Sequence, residues 1–458
     1  MKFATIHNVY FIGIGGIGMS ALARYFKSQG KVVSGYDKTS TELSAQLEKE
    51  GISIHYSDLG ESVLSGLNKE TTLVIYTPAI PKDHKELNAF LSKEFTVIKR
   101  AKALGIISSE FETFAVAGTH GKTTTSTILA HVLHNTKEKC NAFIGGISAN
   151  YNSNCIIEPN SKRVVVEADE FDRSFLQLDP NYAVVTSMDA DHLDIYGEGS
   201  HLRKSFNDFI NRINLSGSLM IQANLDISDF KIDSKLKIST YGFSERANWK
   251  GANARYENGH FLFDIIGPAK KYSDIELGIP GNHNAENAIA VFGLCSELGI
   301  SEEILRSSLK SFKGVQRRFD FQIRTEDIVV IDDYAHHPTE IEAFLSAVRK
   351  LYPAKKITAI FQPHLFSRTR DFMDGFATSL AMCDDLYLLD IYPAREQPIP
   401  GITSQVLLDK ITLKNKALSS KSTIVSDLKS KKREVIVIIG AGDIDTCVKP
   451  ITLAYKQQ

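Results

Sequence analysis

The sequence predicts an α/β protein of three successive units, each built on a mostly parallel sheet. Three observations predict it. Apolar strands at three separated points each open a new strand–helix series, and two of these strands run straight into glycine-rich loops. The chain has 458 residues, enough for three cores at roughly 150 residues per domain. The composition, 43% hydrophobic and 23% charged, is ordinary for a globular chain. Lys and Arg total 53 against 54 Asp and Glu, a formal net charge of −1. That balance lacks the basic excess of a chain that coats nucleic acid or an anionic membrane, although it permits a local basic patch. Five cysteines are scattered with no Cys-x-x-Cys pair, which argues for inert thiols in a reducing compartment. Residues 1–9 do not read as a signal peptide, and the apolar stretch 11–19 is glycine-broken and too short to span a bilayer. A cytoplasmic protein is expected, with no nucleic-acid partner and no membrane insertion.

The first unit opens with the strand Val9-Tyr10-Phe11-Ile12, a glycine turn, a helical pattern through Met19, Leu22 and Phe26, and a second strand at Val32-Val33. Strand, helix, strand within about 30 residues is a βαβ unit and implies parallel pairing. Leu73-Val74-Ile75-Tyr76 is a further strand, closed by Thr77-Pro78. The second unit starts at Phe114-Ala115-Val116-Ala117, with a helix expected over 126–133 and strands at 163–166 and 182–185. The stretch 231–278 reads as an antiparallel excursion, and 282–298 as a helix. The third unit starts at Ile328-Val329-Val330-Ile331, with strands at 357–361, 385–389 and 435–439. Breaks fall near residues 105 and 315.

The two glycine loops differ in chemistry. Gly13-Ile14-Gly15-Gly16-Ile17-Gly18 matches G-x-G-x-x-G between a strand and a helix, where a pyrophosphate can rest on the helix N-terminus. Asp37, at the end of the next strand, can meet a ribose or base. This is a Rossmann-like arrangement for a phosphate-bearing nucleotide, with NAD as the default reading. Gly118-Thr119-His120-Gly121-Lys122-Thr123-Thr124 ends as a P-loop does, although its front is shorter, with Gly118 only three positions before Gly121. There, backbone N–H groups cradle phosphates, Lys122 reaches the β/γ-phosphates and Thr123 takes Mg²⁺.

Acids, histidines and arginines gather where strands end, the edge at which open α/β sheets bind ligands. Glu167-Ala168-Asp169-Glu170 supplies a Mg²⁺ carboxylate, with all three acids open as the ligand. On residue chemistry alone His192 is an ordinary hydrogen-bonded histidine, since hard cations favour oxygen. Asp333, His336, His337, His364, Arg368 and Arg370 follow strands of the third unit, and Arg317-Arg318 lies at the second break. Arginines there can clamp a carboxylate or phosphate.

In this order the chain carries Gly118 to Thr124, Glu167-Ala168-Asp169-Glu170, Asp191-His192-Leu193-Asp194, Gly281-Asn282-His283-Asn284, Arg317-Arg318-Phe319-Asp320 and Asp333-Tyr334-Ala335-His336-His337-Pro338. The set resembles the Mur ligase family over nearly the whole chain. Gln362-Pro363-His364, Arg368-Thr369-Arg370-Asp371, Tyr392-Pro393-Ala394 and the first glycine loop with Met19 resemble its alanine-adding branch most closely. Asn282 departs from the basic residue common there.

The resemblance implies a Rossmann-like UDP-substrate domain over 1–105, a central P-loop ATPase domain over 106–314 and a Rossmann-like amino-acid domain over 315–458, with a hinge near 315. It implies that ATP and Mg²⁺ drive the joining of L-alanine to UDP-N-acetylmuramate through an acyl phosphate, in a monomer or weak homodimer. Gly15, Gly16, Ile17, Gly18, Asp37 and Thr77 are then expected on the UDP substrate. Gly118 to Thr124, Asn284, Asn287, Arg318 and Asp333 are expected on ATP. The resemblance selects Glu167 as a metal carboxylate and makes His192 a ligand of a second Mg²⁺; His337, Arg368 and Arg370 are expected to place L-alanine. Three alternatives are weighed. A murein peptide ligase adds a tripeptide and shares Ala335, but the run through Tyr392-Pro393 argues against it. An NAD(P)-dependent oxidoreductase leaves the P-loop and Glu167 unexplained. A nucleotide-gated switch would make no amide.

Overall fold

A computed structural model describes residues 3–189, 199–257, 260–394 and 396–456. Three sheets are packed as two compact units: Met1–Asn253 with Phe263–Ile275 and Glu286–Phe312, and Ala254–Leu262 with Glu276–Ala285 and Lys313–Gln458.

The first sheet is parallel throughout, in the order Ser53–His55, Val32–Tyr36, Asn8–Ile12, Thr72–Tyr76, Thr96–Lys99. Its central strand is covered on both faces, so Val9 to Ile12 read as one apolar run and all are buried. The helix Ile17–Ser28 buries Met19, Leu22 and Phe26, as its spacing predicts. It packs on the strands Asn141–Ser148 and Ser153–Ile156 of the second sheet. There the Tyr25 ring lies 5.5 Å from Phe143 and Asn154 Nδ2 donates to Ser20 Oγ at 2.9 Å. One apolar cluster therefore contains Phe11 and Leu22 of the first series together with Ala115 and Val166 of the second. Residue 105, where a break was expected, lies inside the helix Arg100–Ser108.

The second sheet has ten strands. Their order is Lys271–Leu277, His260–Ile266, Trp249–Glu257, Lys237–Gly242, Ser218–Gln222, Tyr182–Val185, Glu112–Ala117, Arg163–Ala168, Asn141–Ser148, Ser153–Ile156. The expected antiparallel excursion is corrected at its start: Lys237–Gly242 runs parallel to Ser218–Gln222. The helix expected over 126–133 spans Lys122–His134, beginning at the motif lysine itself. Its first turn is rich in hydroxyls, which weaken a helix signal because they compete for backbone bonds. Here Ser126 Oγ and Thr127 Oγ1 donate to the Thr123 carbonyl at 3.1 and 2.6 Å, which satisfies these two hydroxyls inside the core, while the buried Thr125 Oγ1 has no partner among the described residues.

The third sheet runs Asp320–Arg324, Val329–Asp333, Val435–Ile439, Ile357–Phe361, Asp385–Leu388, Asn415–Leu418. Only its first strand is antiparallel. That strand and Asn415–Leu418 carried no clear sequence signal, since both are short edge strands with mixed polarity. No helix among the described residues is long and apolar enough to cross a membrane.

Candidate active site

The strand Glu112–Ala117 delivers the P-loop to the N-terminus of the helix Lys122–His134. Gly121 adopts φ 80°, and a Cβ there would come within 2.8 Å of Asn287 Oδ1, so this position demands glycine and brings Asn287 to the loop. Ser187, just past the strand Tyr182–Val185, ties the loop down. Its hydroxyl accepts from the His120 N–H at 2.7 Å and lies 3.0 Å from Thr119 Oγ1. Thr124 is buried in the first helical turn. Loop N–H groups and the helix terminus form a preset anion cradle.

Lys122 and the three acids after Arg163–Ala168 make one charge cluster, and each acid takes a different partner. Lys122 Nζ donates to the Gly118 carbonyl at 2.6 Å and sits 2.8 Å from Glu170, whose side chain is 0% exposed. Burial would lower the ammonium, but Glu170, Asp169 and Glu167 outweigh it and raise its pKa, so the charge is fixed. Glu167 accepts from Thr123 Oγ1 at 3.2 Å and from the Gly145 N–H at 3.0 Å. Desolvation raises its carboxyl, partly opposed by Lys122. Asp169 faces Arg100 at 3.5 Å. The two residues expected on one Mg²⁺, Thr123 and Glu167, are thus brought together. His192 lies outside the described residues.

The first glycine loop opens onto the same acids. A cleft of about 250 Å³ is lined by Gly16, Gly18, Thr77, Arg100, Glu167 and Asp169. Ile17 starts the following helix and also lines the cleft. The Arg100 guanidinium packs so close to Gly18 that a Cβ there would meet it at 2.7 Å. Arg100 therefore spans from the glycine loop to Asp169. It was missed in the sequence, although the carboxyl-end rule used elsewhere points to it once the four-residue strand Thr96–Lys99 is recognised. Asp37 is turned inward: it accepts the Gly15 N–H at 2.7 Å and that of Thr39 at 3.2 Å, so it shapes the loop itself.

In the second unit the Asp333 carboxylate accepts the N–H groups of Phe319 and Ala335 at 2.7 and 2.8 Å, pinning the Arg318 loop to the strand end. The guanidiniums of Arg317 and Arg318 each lie 5.1 Å from the Tyr334 ring centroid. Burial pushes the Asp333 carboxyl up to about 6 against the pull of Arg318, and that of Asp332 up to about 7 against Arg317. Asn284 Nδ2 donates to the Pro280 carbonyl at 2.6 Å. Arg368 Nη1 lies 3.3 Å from His364 Nδ1, and His364 stacks on Tyr392. Burial lowers the His364 pKa to about 4, with His336 and Arg368 adding to the shift. His337 caps the helix Pro338–Leu351, its Nδ1 accepting from the Thr339 N–H at 3.4 Å, and packs on Phe372. Arg370 pairs at 2.7 Å with Asp371 beside it and does not join the Arg368–His364 group. Tyr392 and His364 are the neighbours of Arg368 that the sequence left without a role.

Three family models match the chain: the Mur ligase family catalytic domain over residues 8–112, the Mur ligase middle domain over 116–295 and the Mur ligase glutamate ligase domain over 317–444. The UDP-N-acetylmuramate–L-alanine ligase of Christiangramia forsetii is 50% identical over 457 residues, covering 99% of this chain and 98% of that one. The ligase of the same name from Flavobacterium psychrophilum is 52% identical over 448 residues, covering 98% of each. The crystal structure of UDP-N-acetylmuramate–alanine ligase from Thermotoga maritima superposes with a TM-score of 0.83 at 28% identity, covering 98% of this chain and 99% of that one.

Proposed function

The chain belongs to the Mur ligase family, and on that premise we propose that it joins L-alanine to UDP-N-acetylmuramate at the expense of ATP, in peptidoglycan precursor synthesis. One observation carries the reading: a single cleft runs from a glycine loop through Arg100 to Glu167 and Asp169, beside the Gly-Lys-Thr helix start. A UDP substrate whose phosphates lie on the glycine loop can extend its carboxylate toward the γ-phosphate of ATP. The oxidoreductase alternative gives the second loop and its acids no task. The buried, unpaired thiols fit a reducing cytoplasm.

The muramoyl carboxylate attacks the γ-phosphorus, the bond to the ADP oxygen breaks, and an acyl phosphate forms. The L-alanine amine then attacks the acyl carbon, and phosphate leaves as the amide forms. Two anions meet in the first step, so alignment and charge neutralisation carry the rate. Lys122, permanently cationic, exchanges its bonds to Gly118 and Glu170 for β/γ-phosphate oxygens. Arg100 neutralises the UDP substrate along the cleft. Asn284 and Asn287 take the adenine side of ATP, Arg318 its phosphates and Asp333 its ribose. His337, Arg368 and Arg370 receive L-alanine, an arginine meeting its carboxylate.

The donor set at Thr123 and Glu167 fits Mg²⁺: a hydroxyl and a carboxylate oxygen 3.2 Å apart, with a desolvated charge that a cation would relieve. Mg²⁺ takes few protein ligands and fills its shell with phosphate and water oxygens. When bound it supplies further neutralisation of the ATP phosphates. His192 is proposed for a second ion.

The test is phosphate release from Mg²⁺-ATP with UDP-N-acetylmuramate, with and without L-alanine, and with the stem tripeptide in its place. Release that requires both UDP-N-acetylmuramate and L-alanine is expected. Release only with the tripeptide would move the chain to the recycling branch, and release with neither amine would leave no ligase.

A further inference from the structure

The second unit carries a feature that the reaction does not use. A groove of about 800 Å³ opens at the edge of the third sheet where Val329–Asp333 and Val435–Ile439 begin, the opposite end from Asp333. We infer that this basic groove is a separate polyanion site that binds the phosphate chain of a soluble di- or triphosphate. Three elements supply its charge: Arg324 from the edge strand, Lys429, Lys431 and Lys432 around the turn before Val435, and Lys456 from the C-terminal helix. Asp327 is the one carboxylate among the lining residues.

The four lysines have no ion pair or hydrogen bond among the described residues, and all are exposed. Arg433 differs. It is 5% exposed and committed inward, pairing with Asp385 and donating to the Leu428 carbonyl at 3.2 Å. It anchors the turn and leaves Lys431 and Lys432 at the groove. Arg324 and the four lysines line the groove against a single carboxylate, so the field there attracts an anion. Tyr455, 7% exposed, lines the groove from the apolar cluster beneath it. The volume lies within the roughly 300–1,000 Å³ range of small-molecule sites. Ammonium groups serve as point charges for phosphate oxygens.

The probe is inorganic tripolyphosphate, titrated calorimetrically into the full-length protein without added metal. Binding at a site additional to the P-loop is expected. Lys431→Glu with Lys432→Glu should weaken that component about tenfold or more, since exposed charge pairs add modestly but together, and should leave ligation kcat/KM unchanged. Lys429→Gln with Lys456→Gln is the milder pair, and it should show a smaller loss if the charge reversals disturb folding. Raising the salt should weaken the component further. Superimposable isotherms for wild type and both pairs would overturn the site. Tighter groove-dependent binding of decaglutamate than of tripolyphosphate would overturn the phosphate assignment. Groove-dependent sedimentation with phosphatidylglycerol vesicles, without tripolyphosphate binding, would overturn the soluble ligand in favour of a lipid headgroup.

Discussion

Replacing Lys122 by alanine removes two things at once, and the structure says how to separate them. The side chain is 13% exposed, and its ammonium lies 2.8 Å from the fully buried Glu170. Deleting one partner of a buried pair strands the other and costs about 3–5 kcal/mol. For a domain of about 150–250 residues that lowers the melting midpoint by roughly 6–20 °C. The same deletion removes a fixed cation from the transferring phosphoryl group, a loss of about 10²–10³-fold in kcat by analogy with other preorganised donors. Glu170→Gln added to Lys122→Ala removes the stranded charge, so stability should return to within about 1 kcal/mol of wild type. The rate should not return. Calorimetry and phosphate release with saturating ATP, UDP-N-acetylmuramate and L-alanine read the two effects on the same three proteins. If the double variant regains the rate along with stability, or if Lys122→Ala alone keeps its rate within about threefold, the lysine only holds the loop and the P-loop reasoning is wrong.

Arg100→Ala should raise KM for UDP-N-acetylmuramate about 10–100-fold while leaving KM for ATP within about twofold, because a desolvated charge-assisted contact is worth about 1.5–3 kcal/mol; equal effects on both substrates would contradict its placement. Glu167→Gln should raise the Mg²⁺ concentration for half-maximal rate about tenfold or more, and a chelator should abolish phosphate release until Mg²⁺ is restored. Asp332→Asn should stabilise the second unit above pH 7. The buried Asp332 carboxyl, raised from 3.8 to about 7, keeps its proton where the unfolded chain has lost it. Stability therefore falls as pH rises from about 4 to about 7, by at most about 4 kcal/mol. Urea denaturation across that range should show the slope in wild type and a flatter line in the variant.

Much of this arrangement was legible because it rests on spacing. A strand, a glycine turn and a helix start are local, and buried parallel strands such as Val435–Ile439 announce themselves as apolar runs. The P-loop needed no tertiary information. What stayed hidden depends on direction. Glu167, Asp169 and Glu170 sit within four residues, yet they face Thr123, Arg100 and Lys122 respectively. The chain leaves its strand at Ala168, so the two-residue alternation that would sort such side chains ends among them. Asp37 was expected at the ligand, but a carboxylate at a strand end serves equally to tie down the neighbouring loop, and Gly15 claims it. His337 likewise reads as a ligand residue while its ring nitrogen caps a helix. Arg100 was lost because Thr96–Lys99 holds only Val97 and Ile98 between a threonine and a lysine, and so lacks the continuous apolar run of a strand, such as Val9 to Ile12.

The charges around the cleft also argue about order of events. Three carboxylates and two cations, Lys122 and Arg100, lie close together at the cleft. ATP and the UDP substrate both bring further negative charge to this place. Lys122 cannot balance it alone, since its ammonium is already paired with Glu170 and lies in the field of Asp169 and Glu167, and each bond it forms to phosphate loosens one to Glu170. On the proposed function, the site should therefore bind a nucleotide that arrives with its own divalent cation more tightly than one that arrives bare. It also makes the two substrates interdependent. Neutralising Glu167 with a cation relieves repulsion on any carboxylate approaching along the cleft, so Mg²⁺-ATP bound first should tighten UDP-N-acetylmuramate. By linkage the reverse must hold by the same factor. Binding of UDP-N-acetylmuramate should thus strengthen with a non-hydrolysable Mg²⁺-ATP analogue, and Glu167→Gln, having no charge to neutralise, should bind it with less dependence on the analogue. Equal dependence in both proteins would mean that the acids only orient the lysine and do not gate the second anion.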